Sequence, residues 1–394
     1  MKLTVIIVNY NVCHYLLQCL DSLKRALTDV DGEIVVVDNH SHDLSLQLVR
    51  KFHPDVRVIE NLHNLGFSKA NNIALRQANG EYALLLNPDT IVAENTIADC
   101  IRFLDSHPDA GAVGVMMLCA DGRVAPESRR GVPTPMTSFY KFSGLCKLFP
   151  KSRRFGRYYL GHLPWHSPQQ IEIVSGAFCM LRRGVLKEVG LLDEDFFMYG
   201  EDIDLSYRIL KQGHTNWYLP SPILHYKGES TQKSSFRYVH VFYQAMLIFF
   251  RKHFVHLGIL VTLPVRIAIW FKAFMALIAM LTTRMRRSLG FVDRNDSHTL
   301  FTYVCIGERI MVDACCAICQ KHGLASVQHI SSDAAYINKV AAGLTEPTVL
   351  VLDPQVFTYG TMLAVISQFA SRGITLGTYH PSTNSIITAN EIIR

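Results

Sequence analysis

Two short stretches of this chain place acidic and amide side chains where they could act on a ligand. The first, GEDIDLSYR, puts Glu201, Asp202 and Asp204 within one turn, and Ile203, Tyr207 and Leu210 then recur at helical spacing. A carboxylate within hydrogen-bond reach of a hydroxyl can serve as its general base. Acids also gather in the first turn of a helix to complement its macrodipole, which accounts for one or two of the three. The second stretch, LLLNPDT at Leu84 to Thr90, drives an apolar strand to an Asn-Pro-Asp end. Pro and Asp are ordinary turn residues, so Asp89 reads either as part of a turn or as a side chain with a task outside the core.

The flanking pattern says which elements position these residues. Short β-branched runs alternate with helical patterns: LTVIIVNY before a helix over 15–26, EIVVVDN before 44–52, VRVIEN before 68–78 and EYALLLNPD before 94–104, with AGAVGVMM next. Repeated strand and helix units form a mostly parallel sheet covered on both faces. Ligands of such sheets bind at the carboxyl ends of the strands. The polar residues sit at those ends: Asn9 and Tyr10, Asp38 and Asn39, residues 61–66, and residues 87–89. One edge would then offer an aromatic face in Tyr10, a carboxylate in Asp38 for a base or ribose, and the HNLGF backbone, where Gly66 allows close approach. Each member alone fits a loop residue or helix cap; together they describe a nucleotide site. The first turn, NYNVCH, has no glycine, and no GxxxxGKS or GxxxxGKT run occurs, which argues against a dinucleotide fingerprint and a P-loop.

Composition bounds the remaining classes. The 394 residues are 49% hydrophobic and 18% charged, enough for two or three domains with a substantial core, which argues against disorder. A net charge of +6 suits an anionic partner. The ten cysteines lack regular spacing, and MKLTVIIVNYN reads as a strand, so a reduced cytoplasmic setting is expected. Cys315, Cys316 and Cys319 lie in a helical pattern with no second pair to complete a zinc site.

In order along the chain, VIIVNYN, VVVDNHSHD, NLHNLGFSKANN, LLLNPDT and FFMYGEDIDLSYRILKQG resemble the motifs of inverting family 2 glycosyltransferases of the GT-A fold. The resemblance is to the rhamnosyltransferase-like branch of bacterial surface polysaccharide synthesis, and it covers residues 1 to 250. That family usually has Asp-x-Asp where this chain has Asn87, Pro88 and Asp89. The resemblance implies an α/β GT-A nucleotide-diphospho-sugar transferase over 1–240. It would move a sugar with inversion, L-rhamnose from dTDP-L-rhamnose in this branch, to a saccharide or polyprenyl-diphosphate-linked acceptor. Asp202 would be the base, with Glu201 orienting a neighbour or the acceptor. Donor contacts would come from Asn9, Tyr10, Asp38, Asn64, Gly66, Asn71 and Asn87. Asp89, with His225 from LPSPILHYKG, would hold the Mg2+ or Mn2+ that neutralises the leaving diphosphate. A UDP-sugar donor is an alternative, as is a non-catalytic nucleotide or nucleotide-sugar binding protein. A processive synthase is disfavoured, because no QxxRW run and no set of clean spans appear.

Three further regions complete the reading. Residues 121–170 are rich in Arg, Pro and aromatics, and are assigned to the acceptor side, with Arg129, Arg130, Arg153, Arg154 and Arg157 for phosphates and Trp165 for stacking on a sugar. Residues 241–287 form an apolar, basic-flanked helical segment broken by Pro264, Arg266 and Lys272, which suits an interfacial helix pair better than a span or a core helix. The expected location is the cytoplasmic face of a bacterial inner membrane, with no nucleic-acid partner. Beyond Ser288 the resemblance stops. Four strand patterns and three helices over 312–322, 336–342 and 361–372 predict a small three-layer, Rossmann-like α/β domain over 288–394. It carries no catalytic motif, and partner binding or homo-oligomerisation is its open role.

Overall fold

The computed structural model describes residues 1–226, 236–254, 301–344 and 347–394, with scattered helical positions between 267 and 285. Its first part builds the expected alternation: β1 (Leu3–Asn9), α1 (Cys13–Ala26), β2 (Gly32–Asp38), α2 (Ser45–Phe52), β3 (Arg57–Glu60), α3 (Phe67–Leu75), β4 (Tyr82–Leu86), β5 (Thr90–Val92), α4 (Thr96–Ser106) and β6 (Ala110–Leu118). Every residue of β1 and β4 is buried. That is what unbroken apolar runs require when helices cover both faces of a sheet. One core lies beneath Leu16, Leu20 and Leu23 of α1, and another on the opposite face around Ile6, Val35 and Leu85.

The later elements are α5 (Pro135–Phe142), α6 (Leu145–Leu148), β7 (Gln169–Ile171), β8 (Phe178–Arg182), α7 (Arg183–Val189), α8 (Glu201–Lys211), β9 (Thr215–His225) and α9 (Phe236–His253). The sheet runs β3-β2-β1-β4-β8-β6-β9-β5, with β7 pairing β9. Strands β3, β2, β1 and β4 are parallel neighbours, so their four polar carboxyl ends do share one edge. Beyond β4 the pattern changes, because β8 inserts antiparallel to both β4 and β6. Strand β9 then runs parallel to β6 and antiparallel to β5, placing His225 opposite Thr90.

Helix α9 corrects one expectation. It crosses the boundary drawn at residue 240 and buries Ala245, Phe249 and Phe250 with Phe196, against Tyr199, Ile203 and Tyr207. This part of the apolar segment is a core helix over the acidic motif. Most of the rest of 241–287 lies outside the described residues, among which no helix is long and apolar enough to cross a membrane.

A second, six-stranded sheet follows: β10 (Thr302–Gly307), α10 (Arg309–Lys321), β11 (Ser326–Ile330), α11 (Ala334–Gly343), β12 (Thr348–Leu352), α12 (Tyr359–Gln368), β13 (Ile374–His380), β14 (Ser385–Ile387) and β15 (Ile392–Ile393). Its order is β11-β10-β12-β13-β14-β15, the first four parallel and the last two antiparallel. The four predicted strands are present; the final short pair was too brief to show a period. The two sheets share a continuous apolar cluster in which Tyr15, Ile91, Leu224 and Tyr226 meet Met362, Leu363 and Ile366.

One polar clamp fixes this junction. Glu94 accepts from the backbone N–H groups of Tyr359 at 2.8 Å and Gly360 at 2.9 Å. These are the first two donors of α12, which no helical carbonyl can satisfy, and the carboxylate also complements the dipole there. Replacing Glu94 by Ala should lower stability by about 1–2 kcal/mol, the worth of charge-assisted bonds at a half-buried site. An unchanged urea midpoint would contradict a clamping role.

Candidate active site

The polar strand ends and the acidic helix open on one cavity of about 360 Å³. Tyr10, Asn39, Asn64, Asn87, Asp89 and His225 face it from the strand edge. Glu201 and Asp202 face it from the start of α8, and Arg130 from the long connection after β6.

Asn87 and Asp89 reach the cavity because β4 ends at Leu86, and the Asn87 N–H bonds to the carbonyl of Ala177 at 3.0 Å. The Asp89 side chain is buried, and its Oδ1 lies 3.3 Å from His225 Nε2. The same imidazole nitrogen is 3.3 Å from Asn87 Nδ2. Strand β9 holds the histidine there, since the Tyr226 N–H donates to the Asp89 carbonyl at 3.0 Å. Three side chains separated by up to 138 residues in sequence thus converge. Among the described residues no three His, Cys, Asp or Glu side chains gather as a metal cluster.

Glycine 200, with φ +86°, turns the chain into α8 and starts its acidic turn at the cavity wall. Asp202 Oδ2 accepts from the Arg130 guanidinium and, at 3.1 Å, from the Gly176 N–H. Its Oδ1 accepts from the Ile203 N–H at 2.8 Å. Glu201 is almost fully buried; burial first, and then the neighbouring Asp202 charge, pushes its carboxyl up to about 8. It therefore carries a proton at neutral pH. Asp204 faces away into the fold, where it accepts from Arg208 Nε at 2.8 Å and lies 2.7 Å from His253 Nε2 of α9. The third acid is a structural anchor.

Several expected donor contacts have other tasks. Asp38 is only 2% exposed; it accepts from Asn9 Nδ2 at 2.9 Å and from the Ser41 N–H at 2.8 Å. Asn9 is buried with it, so the pair braces the edge from beneath while Asn39 faces the cavity. Gly66 does permit a close approach, but to protein. A Cβ there would stand 2.4 Å from the Phe197 carbonyl, which accepts from the Phe67 N–H at 2.7 Å. This contact ties the HNLGF loop to the segment before α8. Asn71 is buried and donates back to the Phe67 carbonyl at 2.9 Å. Burial of a short polar side chain depends on distant packing, which local spacing does not report.

The two acceptor-side arginines separate. Arg129 is fully buried, donates to the Leu163 and Pro164 carbonyls at 2.7 Å, and stacks 3.3 Å over the Trp165 ring. Neither Arg129 nor Trp165 lines the cavity. They close the long connection, in a cation–π pair that supports packing. Sequence reasoning missed Lys141, whose ammonium lies 3.6 Å over the Tyr158 ring at the cavity wall. The aromatic content of FYKF was its only signal.

Residues 4–190 match the model of Glycosyl transferase family 2. The chain is 27% identical over 259 residues to the N-acetylglucosaminyl-diphospho-decaprenol L-rhamnosyltransferase of Mycobacterium tuberculosis, covering 63% of this chain and 83% of that one. It is 27% identical over 216 residues to the low-salt glycan biosynthesis hexosyltransferase Agl10 of Haloferax volcanii, covering 53% and 62%. Among solved structures, the mannosyltransferase PcManGT of Pyrobaculum calidifontis in complex with GDP-Man and Mn2+ aligns at a TM-score of 0.43 and 21% identity, over 73% of this chain and 80% of that one. Staphylococcus aureus TarS 1-349 aligns at a TM-score of 0.41 and 22% identity, over 64% and 66%. Residues 4–190 thus carry a Glycosyl transferase family 2 domain, and the protein is a glycosyltransferase.

Proposed function

We propose that this protein transfers a sugar from a nucleoside diphosphate to a saccharide or lipid-linked acceptor with inversion, with L-rhamnose from dTDP-L-rhamnose as the favoured donor. The observation that carries the reading is the single cavity in which Asp202 of α8 faces the Asn87, Asp89 and His225 group of the strand edge. In a direct displacement the acceptor oxygen bonds to the anomeric carbon as the bond from that carbon to the diphosphate oxygen breaks. Asp202 takes the hydroxyl proton, and a base positioned in this way contributes about 10²–10⁴-fold.

Asp89 and His225 would offer one oxygen and one nitrogen to a divalent cation such as Mg2+ or Mn2+. When bound, that ion neutralises charge developing on the leaving diphosphate. Asn87 Nδ2 lies 3.3 Å from the same His225 nitrogen and would turn to the donor diphosphate once the cation takes the lone pair. Tyr10, Asn39 and Asn64 serve the nucleotide.

The opposite wall favours an acceptor with an apolar portion. Phe142, Tyr158, Tyr199, Phe242 and Phe249 line it beside Lys141 and Arg130. Ile267, Trp270, Phe274, Leu281 and Met285, spaced by three, four or seven residues, are exposed helical positions, which supports contact with a membrane surface. The similarity to a rhamnosyltransferase named for a decaprenol-diphosphate acceptor points the same way.

A thermal-shift panel of dTDP-L-rhamnose, UDP-sugars and GDP-mannose with Mg2+ tests the donor. A ligand bound only by the folded state raises apparent stability, by about 2.7 kcal/mol at a hundredfold excess over its Kd. The expected result is a shift with dTDP-L-rhamnose above the others. A larger shift with a UDP-sugar would reassign the donor, and no shift with any nucleotide sugar would overturn the reading.

A further inference from the structure

Arg130 and Asp202 form a buried ion pair inside the reaction cavity, with side chains 12% and 14% exposed. The arginine is held from behind as well, since its Nη2 donates to the Val174 carbonyl at 3.3 Å and its backbone bridges to Ile173. Burial is the largest single influence and disfavours the cation, but the Asp202 charge and hydrogen bond, with Tyr158 and Glu127, together outweigh it and keep the guanidinium protonated. Glu201 lies next to Asp202 and is almost fully buried. Asp202 has no oxygen without a donor: Oδ2 serves Arg130 and Gly176, and Oδ1 serves the Ile203 N–H.

A carboxylate in this state is poorly placed to take a proton. Protonating it would strand a buried guanidinium without its counter-charge, and breaking one side of a buried pair is strongly unfavourable. A ligand that brings its own anion changes that balance. A phosphate oxygen can take over the arginine, whose fork matches phosphate geometry.

Resting on the assignment of Asp202 as base, we propose that Arg130 is a positioning residue that masks Asp202 until an anionic, phosphate-bearing acceptor draws the guanidinium away. Water brings no such anion, and the donor's own diphosphate is engaged at the Asp89 and His225 edge of the cavity. Hydrolysis would require the water oxygen to bond to the anomeric carbon while the bond to the diphosphate breaks, with the electron pair leaving on the diphosphate and a water proton passing to Asp202. The masked carboxylate does not accept it, and the donor survives until the acceptor arrives. Lys141, over the Tyr158 ring on the same wall, gives the acceptor anion a second cation.

The test measures nucleoside diphosphate release by the full chain from dTDP-L-rhamnose, or whichever nucleotide sugar shifts its melting. It is run without acceptor, with a short-chain N-acetylglucosaminyl-diphospho-prenol, and with octyl N-acetylglucosaminide, which lacks the diphosphate. Arg130→Gln should raise acceptor-free hydrolysis about tenfold while lowering transfer to the diphosphate acceptor, so the ratio of hydrolysis to transfer climbs. Arg130→Lys, which keeps the charge, should restore most of the wild-type ratio. In wild type the diphosphate acceptor should be used in strong preference to the octyl glycoside, and that preference should shrink in Arg130→Gln. A merely structural loss would lower hydrolysis and transfer together, and that outcome overturns masking. Hydrolysis that rises in Arg130→Gln yet persists in Arg130→Gln/Asp202→Asn also overturns it, because the gain would not run through Asp202. If Asp202→Asn alone keeps transfer, the assignment of the base fails, whatever the arginine variants do.

Discussion

Replacing Asp202 by asparagine should leave the donor bound and lower transfer by about 10²–10⁴-fold, the contribution of a positioned general base. Asparagine keeps the size of the side chain, and its one carbonyl oxygen can still accept from either the Gly176 or the Ile203 N–H that aspartate serves. It cannot accept the hydroxyl proton and remain neutral. The proposed donor contacts lie on the strand edge across the cavity, so the melting shift given by the nucleotide sugar should survive. Transfer within a few-fold of wild type would remove Asp202 from the mechanism. Glu201→Gln is the matching control. Burial and the Asp202 charge push Glu201 up to about 8, so glutamine copies the protonated form present at neutral pH. Transfer at pH 7 should change little. A loss as deep as that of Asp202→Asn would mean that the two acids had exchanged roles.

The second large effect falls on Asp89. Chelation should abolish transfer, and Mg2+ or Mn2+ should restore it; Asp89→Ala should lose at least about a hundredfold, from several kcal/mol of charge stabilisation, without rescue by added metal. The fold should tolerate the change, because the contacts that fix this edge are made by backbone. The Asp89 carbonyl accepts from the Tyr226 N–H, and the β5 to β9 pairing does not use the carboxylate. His225→Ala should be milder, shifting the metal concentration needed for half-maximal rate. Full activity in chelator, or rescue of Asp89→Ala by excess metal, would refute the assignment. The same edge lies against the carboxy-terminal sheet, since Ile91 and Tyr226 share an apolar cluster with α12. Loosening that junction at Glu94 should therefore blunt transfer as well as stability.

What the sequence determined by itself was set by short periods and ordered motifs. Runs such as LTVIIVN and YALLL are buried strands because no polar residue interrupts them, and the alternation with amphipathic helices dictates a largely parallel sheet with a polar carboxyl edge. The acidic turn of α8 and the Asn-Pro-Asp end of β4 were equally legible, since both sit at element boundaries. The tertiary structure alone decided which of these polar groups face the cavity. Asp38 and Asn71 lie in motifs as suggestive as that of Asp89, yet both are enclosed and bonded within the protein. Arg129 and Arg130 are adjacent and chemically identical; one props the long connection against Trp165, and the other pairs with Asp202. His225 stands beside Asp89 only because β9 returns antiparallel to β5 in one register. Periodicity records the local balance between exposed and buried faces. Burial of a single polar side chain, or the pairing of strands more than a hundred residues apart, is settled by contacts that exist only once the whole chain has packed.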